Sequence, residues 1–326
     1  MDAFPHDAPT ALLELPKLAQ AAGIARLFAK CENERPFGNF KILGGMRAGL
    51  NALAAAAGIS VDSLLKTRPA NLPRLIAASD GNHGLAVAAA ASRAGTRATI
   101  FLPTHASPIR AHRIESQGGM VAWIRGTYDD AVAAAEARAA SGDGILISDT
   151  TANSHDPIVQ DVMAGYTRIA NEIVAQMNPV GLTYIDKVFV QAGVGGLAAA
   201  MAEGLQPVMR AASILYTVEP ETVACVAAAL SNRRPTLIAG DLETEAEMLS
   251  CGLASALAVE ILLLHHAQPV TVSETQLRNA VVELRKAGGP ATTPSGAAGL
   301  AGLFATKMNA TDSALIFVTE AALQAD

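Results

Sequence analysis

The feature that most constrains the fold is a regular alternation of short apolar runs with stretches of helical periodicity. Residues 75–78, 98–102, 121–124 and 145–148, and later 187–191, 214–218, 270–272 and 314–318, form such runs. They carry apolar residues at successive positions, as strands buried on both faces of a parallel sheet do. Helical signals fall between them. Thr127 with Asp130 makes a variant capping box ahead of AVAAAEARAA, and Ser273 with Gln276 opens LRNAVVELRKA, which Gly288-Gly289 closes. Val162, Tyr166, Ile169, Ile173 and Met177 form one apolar stripe at helical spacing. Strand–helix alternation predicts an α/β fold with mostly parallel sheets flanked by helices. A long helix at about 161–177 separates the strands into two groups, so two sheets in two domains, with a cleft between them, are expected.

Composition narrows the function classes. A chain of 326 residues is long enough for two domains, and 51% apolar against 17% charged residues excludes a disordered chain. Aromatics supply only 4%, so the core must rely on close approach of small side chains. A net charge of −6 without a basic cluster argues against nucleic acid or an anionic membrane as partner. Cys31, Cys225 and Cys251 have no metal-type spacing, nor do the histidines, so no metal site is expected and a reducing compartment fits. The N-terminal segment lacks the pattern of a secretory signal, and the greasy stretch 253–264 is too short to span a membrane. A cytoplasmic protein is the expectation.

Three polar or glycine-rich segments interrupt these apolar surroundings. In FGNFK, Lys41 lies between Phe40 and Ile42, just before a helix start. Burial disfavours an ammonium, so a lysine in such a pocket can serve as an amine nucleophile, although a lysine can also snorkel to solvent. In SDGNHG, Asp80, Asn82 and His83 crowd the junction between a strand and a helix, where parallel sheets bind ligands; an Asp-Gly turn with a helix cap is the plainer alternative. In QAGVGGLA, Gly193, Gly195 and Gly196 let the backbone approach a phosphate. Gly193-x-Gly195-x-x-Ala198 also satisfies the dinucleotide fingerprint, with Glu219 placed as its ribose-binding acid. It falls late, after a complete α/β region, and a single phosphate accounts for the glycines equally well.

Taken in order, FGNFK, SDGNHG and QAGVGGL resemble the fold-type II pyridoxal phosphate (PLP) enzymes, the tryptophan synthase β-subunit group. TYDDAV, VEPE, MLSCGLAS, SGAAGLAGL and FVTE bring the likeness nearest to the diaminopropionate ammonia-lyases. That resemblance implies PLP as cofactor and α,β-elimination on a β-substituted amino acid, with 2,3-diaminopropionate giving pyruvate and ammonia. A serine or threonine dehydratase or other β-eliminating PLP lyase, and a PLP-binding paralogue with little turnover, are the alternatives. By the same resemblance Lys41 holds the cofactor as an imine, and Asn82 bonds its 3′-oxygen. Gly193, Val194, Gly195, Gly196 and Leu197 cradle its phosphate, Thr319 faces its ring nitrogen, and Asp80 is a second acid–base group opposite the lysine. The family implies a homodimer, a large cofactor domain of residues 1–43 and 151–326, and a small domain of 44–150. Departures at 151–157, Pro294 and Ala321 are expected to touch the substrate pocket and the ring's surroundings.

Overall fold

The protein is described by a computed structural model covering residues 8–79, 81–104 and 106–322. Its first elements are β1 (Leu12–Glu14), α1 (Pro16–Ala22) and β2 (Arg26–Lys30). Two short 3₁₀ turns then lead into α2 (Lys41–Ala57) and α3 (Val61–Thr67). There follow β3 (Leu75–Ala78), α4 (Asn82–Ala94), β4 (Ala98–Pro103), α5 (Pro108–Ser116), β5 (Gly119–Ile124), α6 (Tyr128–Ala140) and β6 (Ile145–Leu146). The long α7 (Pro157–Met177) precedes β7 (Ile185–Gln191), α8 (Gly196–Gly204), β8 (Met209–Pro220), α9 (Cys225–Asn232) and α10 (Ala256–Leu264). The last elements are β9 (Gln268–Val272), α11 (Glu274–Lys286), α12 (Pro294–Ala305) and β10 (Ser313–Phe317).

The strands form two sheets, as the two groups of apolar runs predict. The smaller has the order β5-β4-β3-β6, all parallel. The larger has the order β1-β2-β10-β7-β8-β9 and is parallel except for β1, which runs against β2. Along β10, Ala314 and Ile316 join the apolar layer containing Leu277, Leu284 and Leu300, whereas Leu315 and Phe317 face the layer containing Ile169 and Val188. This alternation seats one central strand between two helical layers.

Strands β1 and β2 are absent from the sequence expectation, and β2 shows why. Its last residue, Lys30, is fully buried, and its ammonium lies 2.7 Å from Glu172 Oε2 on α7. Arg35 reaches the same oxygen at 2.6 Å and Glu32 Oε2 at 2.8 Å. A charge that finds its partner 142 residues away hides a strand from any local pattern. The cluster also anchors the turns that carry the chain to Lys41.

Small residues bring the helices together, as the aromatic-poor composition requires. A Cβ on Gly45 of α2 would lie 2.6 Å from Ala86 Cβ of α4, and one on Gly49 would lie 2.8 Å from Ala90 Cβ. Both predicted capping boxes form with both of their hydrogen bonds. The helix expected from about 161 starts at Pro157, because Asp156 accepts from the N–H groups of Ile158 (2.8 Å) and Val159 (3.3 Å). The greasy 253–264 stretch yields α10, which buries Ala258, Val259 and Leu262 and leaves Leu264 exposed.

Candidate active site

The carboxyl ends of the parallel strands converge on one cavity, the place where open α/β sheets bind ligands. The segment after β2 delivers Lys41, the first residue of α2. Beyond β3 come Ser79, Asn82 and His83, and beyond β6 comes Asp149. On the larger sheet, β7 leads into Gln191–Leu197 and the neighbouring β10 into Thr319 and Glu320.

Lys41 is ion-paired with Asp149, a residue the sequence reading did not single out. Tyr128 holds the other carboxylate oxygen, its hydroxyl donating at 2.8 Å. Burial by itself would lower the lysine's pKa. The adjacent carboxylate outweighs it and holds the ammonium above its ordinary value of 10.5. Asp149 answers in the opposite sense: burial opposes its charge, but Lys41 and the Tyr128 hydroxyl keep it well below 3.8. The expectation of a lysine made neutral by burial is therefore corrected, because Asp149 stands beside it. Lys41 is a charged amine whose proton Asp149 retains.

The loop before α4 is built around Ser79, whose hydroxyl oxygen accepts from the N–H groups of Gly81 and Gly84, both at 2.8 Å. This turn aims Asn82 into the cavity, where its side-chain amide donates to Glu320 Oε2 at 2.5 Å. Thr293 donates to the other Glu320 oxygen at 2.5 Å, and buried Arg110 stands 3.5 Å from Oε2. His83 Nε2 lies 2.8 Å from the carbonyl of Ile147. A carbonyl only accepts, so Nε2 carries the proton, and burial lowers the ring's pKa and favours that neutral form. Asp80 lies outside the described residues.

Gly193 to Leu197 bridge β7 and α8. Gly195 has φ +93° and Gly196 opens the helix, so the free N–H groups of its first turn face the cavity. A Cβ on Gly193 would come within 3.2 Å of Cys251 Sγ, and one on Gly196 would lie 3.7 Å from Met163 Cγ and 3.8 Å from Tyr166 Cε2. The free N–H groups at this cavity-lining helix start are a donor set that fits a phosphate. At Gly195 a side chain would meet Ala258, Val226 and Leu262 instead. That glycine serves the turn, and its Cβ direction is the apolar core. Thr319 Oγ1 accepts from Gln191 Nε2 at 3.0 Å, which leaves its own hydroxyl hydrogen for a ring nitrogen. A lysine, a phosphate cradle, Asn82 and a neutral hydroxyl thus meet in one space, and together they match the demands of PLP.

Two expectations change. Glu219 does not face the glycines as a ribose-binding acid. It is fully buried and accepts from the N–H groups of Val226 and Ala227 at 2.7 Å each, with burial pushing its carboxyl up to about 8. The departures at 151–157, Pro294 and Ala321 also lie off the cavity, whose described lining includes none of them. Asp156 caps α7, Pro294 occupies the first turn of α12, and the Ala321 N–H donates to Gly38 O at 2.8 Å.

The family described as "Pyridoxal-phosphate dependent enzyme" matches residues 3–320. The diaminopropionate ammonia-lyase of Salmonella typhimurium is 30% identical over 263 residues, covering 76% of this chain and 65% of the relative. The match thus spans somewhat under two thirds of that protein. The L-threonine dehydratase of Pasteurella multocida is 31% identical over 228 residues, covering 69% of this chain and 39% of the relative. Among solved structures, holo diaminopropionate ammonia lyase from Escherichia coli superposes with a TM-score of 0.84 at 25% identity, covering 97% of this chain and 85% of that one. With its lysine, glycine cradle and paired parallel sheets, the chain belongs to the PLP-dependent enzymes of fold type II, the tryptophan synthase β-subunit group.

Proposed function

We propose that the protein is a PLP-dependent ammonia-lyase that removes the β-substituent of a small amino acid, with 2,3-diaminopropionate giving pyruvate and ammonia. One observation carries the reading: Lys41 and the glycine cradle face the same cavity, with an acid–base partner, Asp149, already on the lysine. When bound, PLP draws electrons from a substrate's α-carbon, so that loss of the α-proton and departure of a β-substituent become feasible. The chain's own residues do the rest. The cradle of Gly193, Val194, Gly195, Gly196 and Leu197 would fix the phosphate, Asn82 the 3′-oxygen, and Thr319 the ring nitrogen. As a neutral donor, Thr319 leaves that nitrogen unprotonated.

Lys41 Nζ is the group placed to take the α-proton, and the Asp149 carboxylate beside it stabilises the ammonium that results. Asp80, two residues before Asn82, is assigned to the opposite face, where it would take the proton of the other enantiomer or protonate the departing amine. The first turn of α4 would orient the substrate's carboxylate through its N–H groups. Elimination of ammonia rather than water is supported by the similarity to the Salmonella lyase. A dehydratase acting on serine or threonine is the second reading, favoured by the 31% identity to the threonine dehydratase. Only the leaving group separates the two. PLP-loaded protein should change its visible spectrum with each true substrate. A shift with L-threonine or serine and none with either isomer of 2,3-diaminopropionate would move the assignment to a dehydratase.

A further inference from the structure

Tyr166 sits in the middle of α7, where its spacing reads as one more apolar position. The residue is 1% exposed and lines the cavity, yet its buried hydroxyl makes no hydrogen bond among the described residues. Leaving a buried hydroxyl without a partner is costly, which points to a partner that the cavity receives. The ring is held firmly. Phe40 packs against it with centroids 5.0 Å apart, and Gly44 makes room for it, since a Cβ there would lie 2.7 Å from Cε1.

On the other side a Cβ on Gly196 would lie 3.8 Å from Cε2, so the same ring borders the first turn of the phosphate cradle. We propose that the Tyr166 hydroxyl is a phosphate ligand, donating its hydrogen to an oxygen of the phosphate group that the cradle holds. This rests on the cofactor reading above.

The neighbouring acceptors are already committed. Asp149 is taken by Lys41 and Tyr128, and Glu320 by Asn82, Thr293 and Arg110. Lys41 itself, as an ammonium, offers no lone pair. The described lining contains no arginine and no second lysine. A phosphate dianion here meets backbone N–H groups and few charges, and a fixed O–H donor adds what the cradle lacks. Burial raises the phenol's pKa, which keeps it a donor at any working pH.

Y166F preserves the ring and removes only the donor. Titration of apo-protein with PLP, and separately with pyridoxal, isolates the phosphate contact. Affinity for PLP should fall about 10- to 100-fold, the range for a hydrogen bond to a charged group. Affinity for pyridoxal should stay within about threefold, and the ³¹P resonance of bound PLP should move. Unchanged PLP affinity would overturn the assignment, and so would equal losses for PLP and pyridoxal, which would place the hydroxyl on Lys41 or in packing. Wild-type protein that takes up no PLP at all would instead remove the cofactor reading, and this assignment with it.

Discussion

Replacing Asp149 by asparagine should change the protonation of Lys41 more than it changes the fold. The substitution keeps the size of the side chain and an oxygen for the Tyr128 hydroxyl, but removes the charge that faces the ammonium. Two unit charges at about 4 Å attract by about 4 kcal/mol at an effective dielectric near 20. At 1.36 kcal/mol per tenfold step, that is about a thousandfold change in the ratio of charged to neutral amine. The Lys41 side chain is only 21% exposed, so solvent replaces little of the loss.

The pair's contribution to stability has a defined pH window. Lys41 is raised in the folded state, so its share is full below 10.5 and is lost as pH climbs through the folded value above that. Asp149 is lowered, so its share is full above 3.8 and is lost as pH falls through the folded value below that. Between those limits wild-type stability from the pair is flat, and D149N lowers it throughout. The assay is the rate at which apo-protein captures PLP, followed by absorbance across pH, because capture needs a neutral amine. The D149N profile should shift toward acid by about three pH units. Superposable profiles would refute the argument that Asp149 governs the state of Lys41.

Three further outcomes are expected. Borohydride treatment of PLP-loaded protein should leave the pyridoxyl mass on the peptide carrying Lys41, and K41A should fold but take up no label; a tag on another lysine would overturn the assignment. E172Q strips two buried cations of their shared partner and should cost about 3–5 kcal/mol in denaturant unfolding. Since Lys30 and Arg35 hold that carboxyl at about 2 against its own burial, the wild-type advantage should vanish as pH falls from about 4.5 toward 2. D80N should reduce turnover of D-2,3-diaminopropionate by about a hundredfold or more, with a smaller loss for the L-isomer. Equal small losses with normal PLP content would reduce Asp80 to a helix cap.

What could be read from the sequence followed the range of the interactions. Strands β3, β4 and β10 are local apolar runs, and Thr127 with Asp130 and Ser273 with Gln276 satisfy each other within one turn, so their positions were legible. The three polar segments were legible as well, because chemistry at strand ends needs glycines and polar groups that a core would not keep. β2 was not, since Lys30 is a strand residue only in the company of Glu172. Asp149 and Glu320 stood in plain view at the ends of predicted strands. Their importance comes from Lys41 and Asn82, 108 and 238 residues distant, and no spacing rule joins them. Tyr166 was legible as a core position and misleading as a polar one, because helical periodicity does not distinguish a buried ring from a buried ring with an unpartnered hydroxyl beside a cavity. The pocket departures erred the other way. Residues 151–157, Pro294 and Ala321 differ from the family's pattern yet serve caps and turns.

The central claim is elimination of a β-amino group, and the ratio of products tests it most directly. Elimination from 2,3-diaminopropionate followed by hydrolysis releases both nitrogens and leaves the three-carbon keto acid. Coupled assays of the PLP-loaded protein should therefore count about two ammonia molecules for each pyruvate, with turnover abolished in K41A. Pyruvate formed from serine but not from 2,3-diaminopropionate, or no pyruvate from any amino acid by protein carrying PLP on Lys41, would contradict it.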